Sequence, residues 1–117
     1  MTKTVKELAK IAITALEAKK AEDIHVIDIS GISTLADYFI IANGTNKSQI
    51  QTLADHVEEA LGREGLPLKQ VEGYDTASWI LMDYRDIVIH IFDKENRLFY
   101  DLDRIWRDGK LISPEEL

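Results

Sequence analysis

At 117 residues, 45% of them apolar, the chain holds enough hydrophobic side chain for one core and too little for two. Its 21 Asp and Glu against 14 Lys and Arg give a formal net charge of −7, which works against phosphate contacts supplying the binding energy to a nucleic acid. Without cysteine, disulfides, thiolate zinc sites, iron–sulfur clusters and a cysteine nucleophile are all excluded.

The first predicted element is a helix. Val5, Leu8, Ile11, Ala12, Ala15 and Leu16 recur at helical spacing, and Thr4 followed by Glu7 forms a capping box, so the helix runs to Lys19 or Lys20. This acid-containing amphipathic start is unlike a signal or transit peptide, and no apolar run approaches the roughly 18 residues of a membrane span. A cytoplasmic protein is the expectation. Residues 24–29 alternate loosely and are rich in branched side chains, a strand broken by Ser30 and Gly31. A second, buried strand over residues 38–42 closes on Asn43 and Gly44. Ile50, Leu53, Val57 and Leu61 then set a second helix, capped by Asn46 with Gln49 three residues on, which ends near Arg63 before Gly65 and Pro67.

Residues 68–71 form a short strand. Residues 73–78 have no clear order. Two apolar runs around an acidic, aromatic break, over residues 79–92, make a hairpin. Its first strand puts Trp79, Leu81 and Asp83 on one face and Ile80, Met82 and Tyr84 on the other, so both faces need covering and one is a candidate contact surface. Asp93 caps a last helix carrying Leu98, Leu102, Ile105 and Trp106, and the tail from about residue 109 is loosely ordered. The helix between the second and third strands suits a crossover joining parallel neighbours, whereas the short Tyr84-Arg85 connection demands an antiparallel pair. The fold class is α/β: one domain over residues 1–117, with a mixed sheet of about five strands and helices packed on it.

Residues 44–48 lie where a strand meets a helix N-terminus, a place that can hold an anion. They lack the spacing of a phosphate loop or a dinucleotide turn, which leaves a simple turn and cap. Asp83 and Asp86 flank the hairpin turn; they could hold magnesium or act as acid and base, but no further acids can be brought to them with Asp28 and Asp37 unplaced. His25, His56 and His90 show no metal-ligand or triad spacing and read as structural. Tyr74, Trp79 and Tyr84 beside the two acids are either partner anchors or, for Trp79, core beneath a helix.

The segment from Asp37 to Thr45, Gln49, Glu72-Gly73, the block Trp79-Ile80-Leu81-Met82-Asp83-Tyr84-Arg85-Asp86-Ile87-Val88-Ile89-His90-Ile91-Phe92, Phe99-Tyr100-Asp101-Leu102 and Trp106 together resemble the Iojap family of ribosomal silencing factors, in that family's order. The resemblance implies a fold similar to the nucleotidyltransferases without their catalytic acids, no enzymatic activity, and no catalytic, metal or cofactor site. It implies a translational repressor that binds the large ribosomal subunit through large-subunit ribosomal protein fourteen and blocks joining of the small subunit when nutrients are scarce, and a homodimer when free. An acidic chain docking on a basic ribosomal protein, with little direct nucleic-acid contact, agrees with the charge balance.

Carried over by position, the docking residues are Glu72, Gly73, Trp79, Leu81, Asp83, Tyr84 and Asp86. Trp79 and Leu81 would anchor, Asp83 and Asp86 would face Lys or Arg, and Gly73 would allow an unusual backbone. Arg85 stands where the family usually has Gly, so a turn with a positive backbone angle there is not expected; Ser48 and Asn46 also depart from the common Arg and Ser. The competing class is a nucleotide-binding or nucleotidyltransferase-like enzyme using residues 44–48 and Asp83 or Asp86.

Overall fold

A computed structural model describes residues 4–31, 34, 36–100 and 110–112. Among the described residues, three helices and six strands follow one another: α1 (Val5–Ala18), β1 (Glu22–Asp28), β2 (Tyr38–Gly44), α2 (Lys47–Arg63), β3 (Gln70–Glu72), β4 (Trp79–Asp83), β5 (Ile87–Asp93), α3 (Lys94–Tyr100) and β6 (Lys110–Ile112).

The strands form one sheet in the order β3-β4-β5-β2-β1-β6. Strands β2 and β5 are parallel, and the other pairs are antiparallel. The parallel neighbour of β2 is therefore β5, not the next strand in sequence. Having left β2 through α2, the chain runs out to the sheet edge, forms β3 and β4, and returns by the hairpin into the slot beside β2. Part of the stretch expected to be loose, Lys110–Ile112, pairs with residues 26–28 as a sixth strand. Of the positions expected on the last helix, Leu102, Ile105 and Trp106 lie outside the described residues; Asp93 does start that helix, its Oδ1 accepting from the backbone N of Asn96 at 2.7 Å.

The local start signals act as the sequence indicates. The Thr4 hydroxyl accepts from the backbone N of Glu7 at 3.1 Å, and Asn46 Oδ1 accepts from the backbone N of Gln49 at 2.8 Å. Gln49 does more than cap. Its Oε1 accepts from the Thr45 backbone N, and its Nε2 donates to the carbonyls of Lys19 and Lys20, fastening the end of α1 to the start of α2.

Both helices cover the same side of the sheet. Leu8, Ala12 and Leu16 of α1 and Ile50, Leu53, Val57 and Leu61 of α2 pack on Val26, Ile40, Ala42, Ile80, Met82, Ile89 and Ile91. A smaller cluster of Ile27, Ile29, Ala36, Phe39, Ile41 and Phe92, with Trp79 and Val88 against it, occupies the opposite side. The period-2 alternation of strands requires this split: Phe39, Ile40 and Ile41 are all buried and point to alternate faces.

Residue 85 does adopt the backbone angle that Arg was expected to avoid, with φ +73°. The turn is held from both sides: Asp83 Oδ1 accepts from the Arg85 backbone N at 2.8 Å, and the Tyr84 backbone N donates to the Ile87 carbonyl at 2.9 Å. These bonds offset a left-handed conformation that costs an ordinary residue about 1–2 kcal/mol. Since glycine escapes that cost but loses more chain entropy on folding, Arg85→Gly should stabilise the protein by a net ~0.5–1 kcal/mol in urea unfolding. A loss of stability would mean that the Arg85 side chain contributes more than its backbone costs.

Candidate hairpin docking face

The register of β3, β4, β5 and β2 arranges the face away from α1 and α2 in rows. Glu72 pairs with Leu81, Leu81 with His90, and Ile41 with His90; the next row runs Gln70, Asp83, Val88 and Phe39. Trp79 pairs with Phe92 and then Asn43 in the row beyond. Trp79, Leu81 and Asp83 thus share one face, as the alternation predicts, and Glu72 joins them from the edge strand.

An aromatic group underlies this face. The Trp79 ring stacks on Phe92 with centroids 5.1 Å apart, and Phe39 meets the His90 ring at 4.7 Å. Trp79 Nε1 donates to His90 Nδ1 at 3.1 Å, so Trp79 is both a half-buried surface residue and part of the packing. Burial pushes the His90 imidazole down to about 4, which keeps it neutral. With Nδ1 accepting, the hydrogen-bond network assigns its one proton to Nε2, a buried atom with no partner among the described residues.

Beside this group opens a cavity of about 440 Å³ lined by Phe39, Lys69, Leu81, Asp83, Arg85, Val88 and His90. Leu81, Asp83 and Val88 are half-buried there, and Lys69 and Arg85 are exposed.

Gly73 has the unusual backbone expected of it, φ +78°, and a Cβ there would lie 2.2 Å from the Trp79 carbonyl oxygen. Only glycine lets the chain pass so close to β4. The following residues, which had no clear order from sequence, are tied to α2: Gln51 Nε2 donates to the Tyr74 carbonyl, and the Tyr74 hydroxyl to the Asp55 carboxylate at 2.9 Å. Tyr74 is therefore a brace for this loop.

Tyr84 departs from its expected role. It is 3% exposed and packs with the cluster under α1 and α2, on the far side of the sheet from Leu81. Burial, with Glu58 adding to it, pushes its hydroxyl well above the usual tyrosine range. Even numbering within β4 had already given this orientation; proximity to Asp83 and Asp86 in sequence is what suggested otherwise. Asp86 is exposed at the turn, and its carbonyl accepts from the backbone N–H groups of Asp37 and Tyr38. Asp83 is partly committed to the turn through Arg85.

Phe39, Lys69, Val88 and His90 were absent from the sequence-derived site. Val88 and His90 could have been found by extending the alternation through β5, but Phe39 enters only through the parallel β2–β5 pairing.

The turn from β2 into α2 is tied up by its own side chains. The Thr45 backbone N and hydroxyl both donate to Gln49, and Asn46 caps α2. Among the described residues no three or more His, Asp and Glu side chains are grouped to hold a metal ion. No helix there is long and apolar enough to cross a membrane.

Residues 2–117 match the family model described as ribosomal silencing factor during starvation. The chain is 41% identical over 106 residues to a ribosomal silencing factor of Bacillus subtilis, covering 91% of this chain and 90% of the relative. Among solved structures, a protein of Chromobacterium violaceum superposes with TM-score 0.88 at 32% identity, over 95% of this chain and 92% of the other. A protein of Bacillus halodurans does so with TM-score 0.81 at 34% identity, over 92% and 97%.

The neutral, buried His90 makes stability depend on pH. Its folded value lies below the ordinary 6.5, so the unfolded chain binds the proton more readily; the contribution is full above pH 6.5 and is lost as pH falls toward 4. Roughly 3 kcal/mol is the ceiling for this one group. NMR titration of the imidazole should give a midpoint near 4, and His90→Gln should flatten the loss of stability between pH 7 and 4.5. A midpoint at 6 or above would place the ring in water.

Proposed function

The chain belongs to the family of ribosomal silencing factors, and from that premise we propose that it is a ribosome-associated repressor of translation that docks through the open face of its hairpin. The docking partner in this reading is large-subunit ribosomal protein fourteen on the large ribosomal subunit. Occupying that protein places this chain's bulk where the small subunit must approach, so joining of the subunits is blocked, above all under nutrient limitation. The protein acts sterically in the cytoplasm as a single domain, without catalysis or cofactor, and forms a homodimer when off the ribosome.

One observation carries the placement of the surface. Trp79 and Leu81 are half-buried on a sheet face that α1 and α2 leave open, next to a cavity whose floor is aromatic. Aromatic and aliphatic groups held rigidly by their neighbours, with polar groups around them, are the composition of interface hot spots. Glu72 and Asp86, both exposed, border the face and suit a basic partner; they would speed encounter and make it salt-sensitive. Gly73 holds the edge strand against Trp79 and so shapes the border without touching the partner. Tyr84 has no part in the surface, being buried on the other side.

Trp79 is a poor first probe, because replacing it removes the stack on Phe92 and the bond to His90 along with any partner contact. Leu81 is better: it lines the cavity and is only half-buried. Leu81→Ala should weaken co-sedimentation with isolated large subunits by about tenfold, or ~1.4 kcal/mol, and relieve the block on subunit joining in proportion. Circular dichroism should show the variant folded. Unchanged affinity would move the docking site off this face, and a wild type that fails to sediment would overturn the ribosome reading itself. Calorimetry with nucleoside triphosphate and magnesium should give no saturable heat; a clear one would revive the nucleotide-binding alternative.

A further inference from the structure

Resting on that docking reading, we infer that the cavity beside the hairpin receives an acidic side chain of the docked protein, its carboxylate held between Lys69 and Arg85 and its methylenes laid on Leu81, Val88 and Phe39.

The inference starts from a count of donors and acceptors. Lys69 brings an ammonium with three donors and Arg85 a guanidinium with five. Against these stands one acceptor side chain, Asp83, and its Oδ1 is already taken by the Arg85 backbone N. The cavity is therefore short of acceptors.

Charge points the same way. The chain as a whole carries 21 acids to 14 Lys and Arg, yet this cavity is lined by two cations and one acid. The ion pairs described, Arg63 with Glu59 and Lys94 with Glu22, lie elsewhere, and neither Lys69 nor Arg85 is paired among the described residues. A partner Lys or Arg aimed at Asp83 would have to enter beside both, and like charges brought together without intervening water disfavour docking. A carboxylate meets the opposite situation, with a bidentate fork available from Arg85.

The third support is His90. It is 3% exposed, is held by Trp79, and carries its only proton on the atom left unpaired. Nε2 itself is buried, so this ring meets the cavity as a neutral, rigid wall that brings no charge to compete with an anion. The apolar lining of Phe39, Leu81 and Val88 completes a site for a side chain with a hydrocarbon stem and an anionic tip.

The arrangement also divides labour across the face. Glu72 and Asp86 lie outside the cavity and remain the groups that meet partner cations, while the cavity reads the opposite sign. A mixed pattern of this kind fixes the docked orientation more narrowly than a uniformly acidic surface would.

The test is co-sedimentation of the full chain with isolated large subunits at one ionic strength. The double variant Lys69→Glu with Arg85→Glu should lose at least tenfold in affinity, and Lys69→Met with Arg85→Met about threefold, both folded because the two side chains are exposed. Asp83→Asn keeps an oxygen for the Arg85 backbone and removes the competing negative charge, so it should bind more tightly than wild type, equal or weaker binding counting against the assignment. Tighter or equal binding by the double glutamate variant, or a loss in Asp83→Asn as large as the one expected there, would overturn the assignment in favour of a partner cation. The two levels of failure separate cleanly. If wild type docks and Leu81→Ala does not while the charge variants are silent, only the occupant of the cavity is wrong; if wild type does not dock, the docking reading falls and this one with it.

Discussion

The central strands β2 and β5 are apolar on both faces, and most of the architecture answers that one constraint. Phe39, Ile40, Ile41 and Ala42 are all buried, as are Ile89, His90, Ile91 and Phe92 across the parallel pairing. A strand buried on both sides needs a layer on each. The helices α1 and α2 supply one layer over the whole central sheet, locked together where Gln49 bridges the end of α1 to the start of α2. On the other side the described chain covers the β5–β2–β1 region with a smaller cluster, and the β4 end keeps Trp79 and Leu81 half-buried. The candidate docking face is the part of this two-sided requirement that the described residues leave incomplete.

Much of this was legible in the sequence because it depends on short-range chemistry. Thr4, Asn46 and Asp93 cap the helices they were expected to cap, and alternation in residues 79–83 correctly separates Trp79, Leu81 and Asp83 from Ile80 and Met82. What failed is long-range or competitive. The partner of β2 is set by which strand fills the slot beside it after an excursion to the sheet edge, and no local pattern records that. Strand β6 has three residues and is an edge strand defined by pairing with β1, so its composition carried too little signal. Tyr84 was grouped with Asp83 and Asp86 by nearness in sequence, whereas the pleat turns it to the opposite side, where burial outweighs its polar tip.

The site shows the same division. Trp79, Leu81 and Gly73 could be placed from the hairpin and its edge, but the cavity exists only because Phe39 is brought alongside Val88 by the parallel pairing and Lys69 is brought beside Asp83 by the edge strand. Its sign could not be read from the composition, since a chain of net charge −7 suggests an acidic surface throughout. Electrostatic character at a contact is set by which few groups the fold converges, and the average over the chain governs encounter more than docking.

Arg85 joins these themes. At φ +73° it occupies a conformation that glycine would adopt without strain, and the bonds from Asp83 and to Ile87 are needed to hold the turn around it. A hairpin turn optimised for stability alone would place glycine there. Arg85, however, lines the cavity together with Lys69, at the cost of a strained backbone and of engaging one oxygen of Asp83. That engagement takes up part of the acceptor capacity of the one carboxylate lining the cavity. On the inferred anion reading of the cavity, this position acts twice, once by adding a cation and once by engaging the competing carboxylate. Gly at this position would keep the second effect, because the bond is to the backbone N, and lose the first; the strain in the turn and the charge of the pocket are thus separable properties of one position.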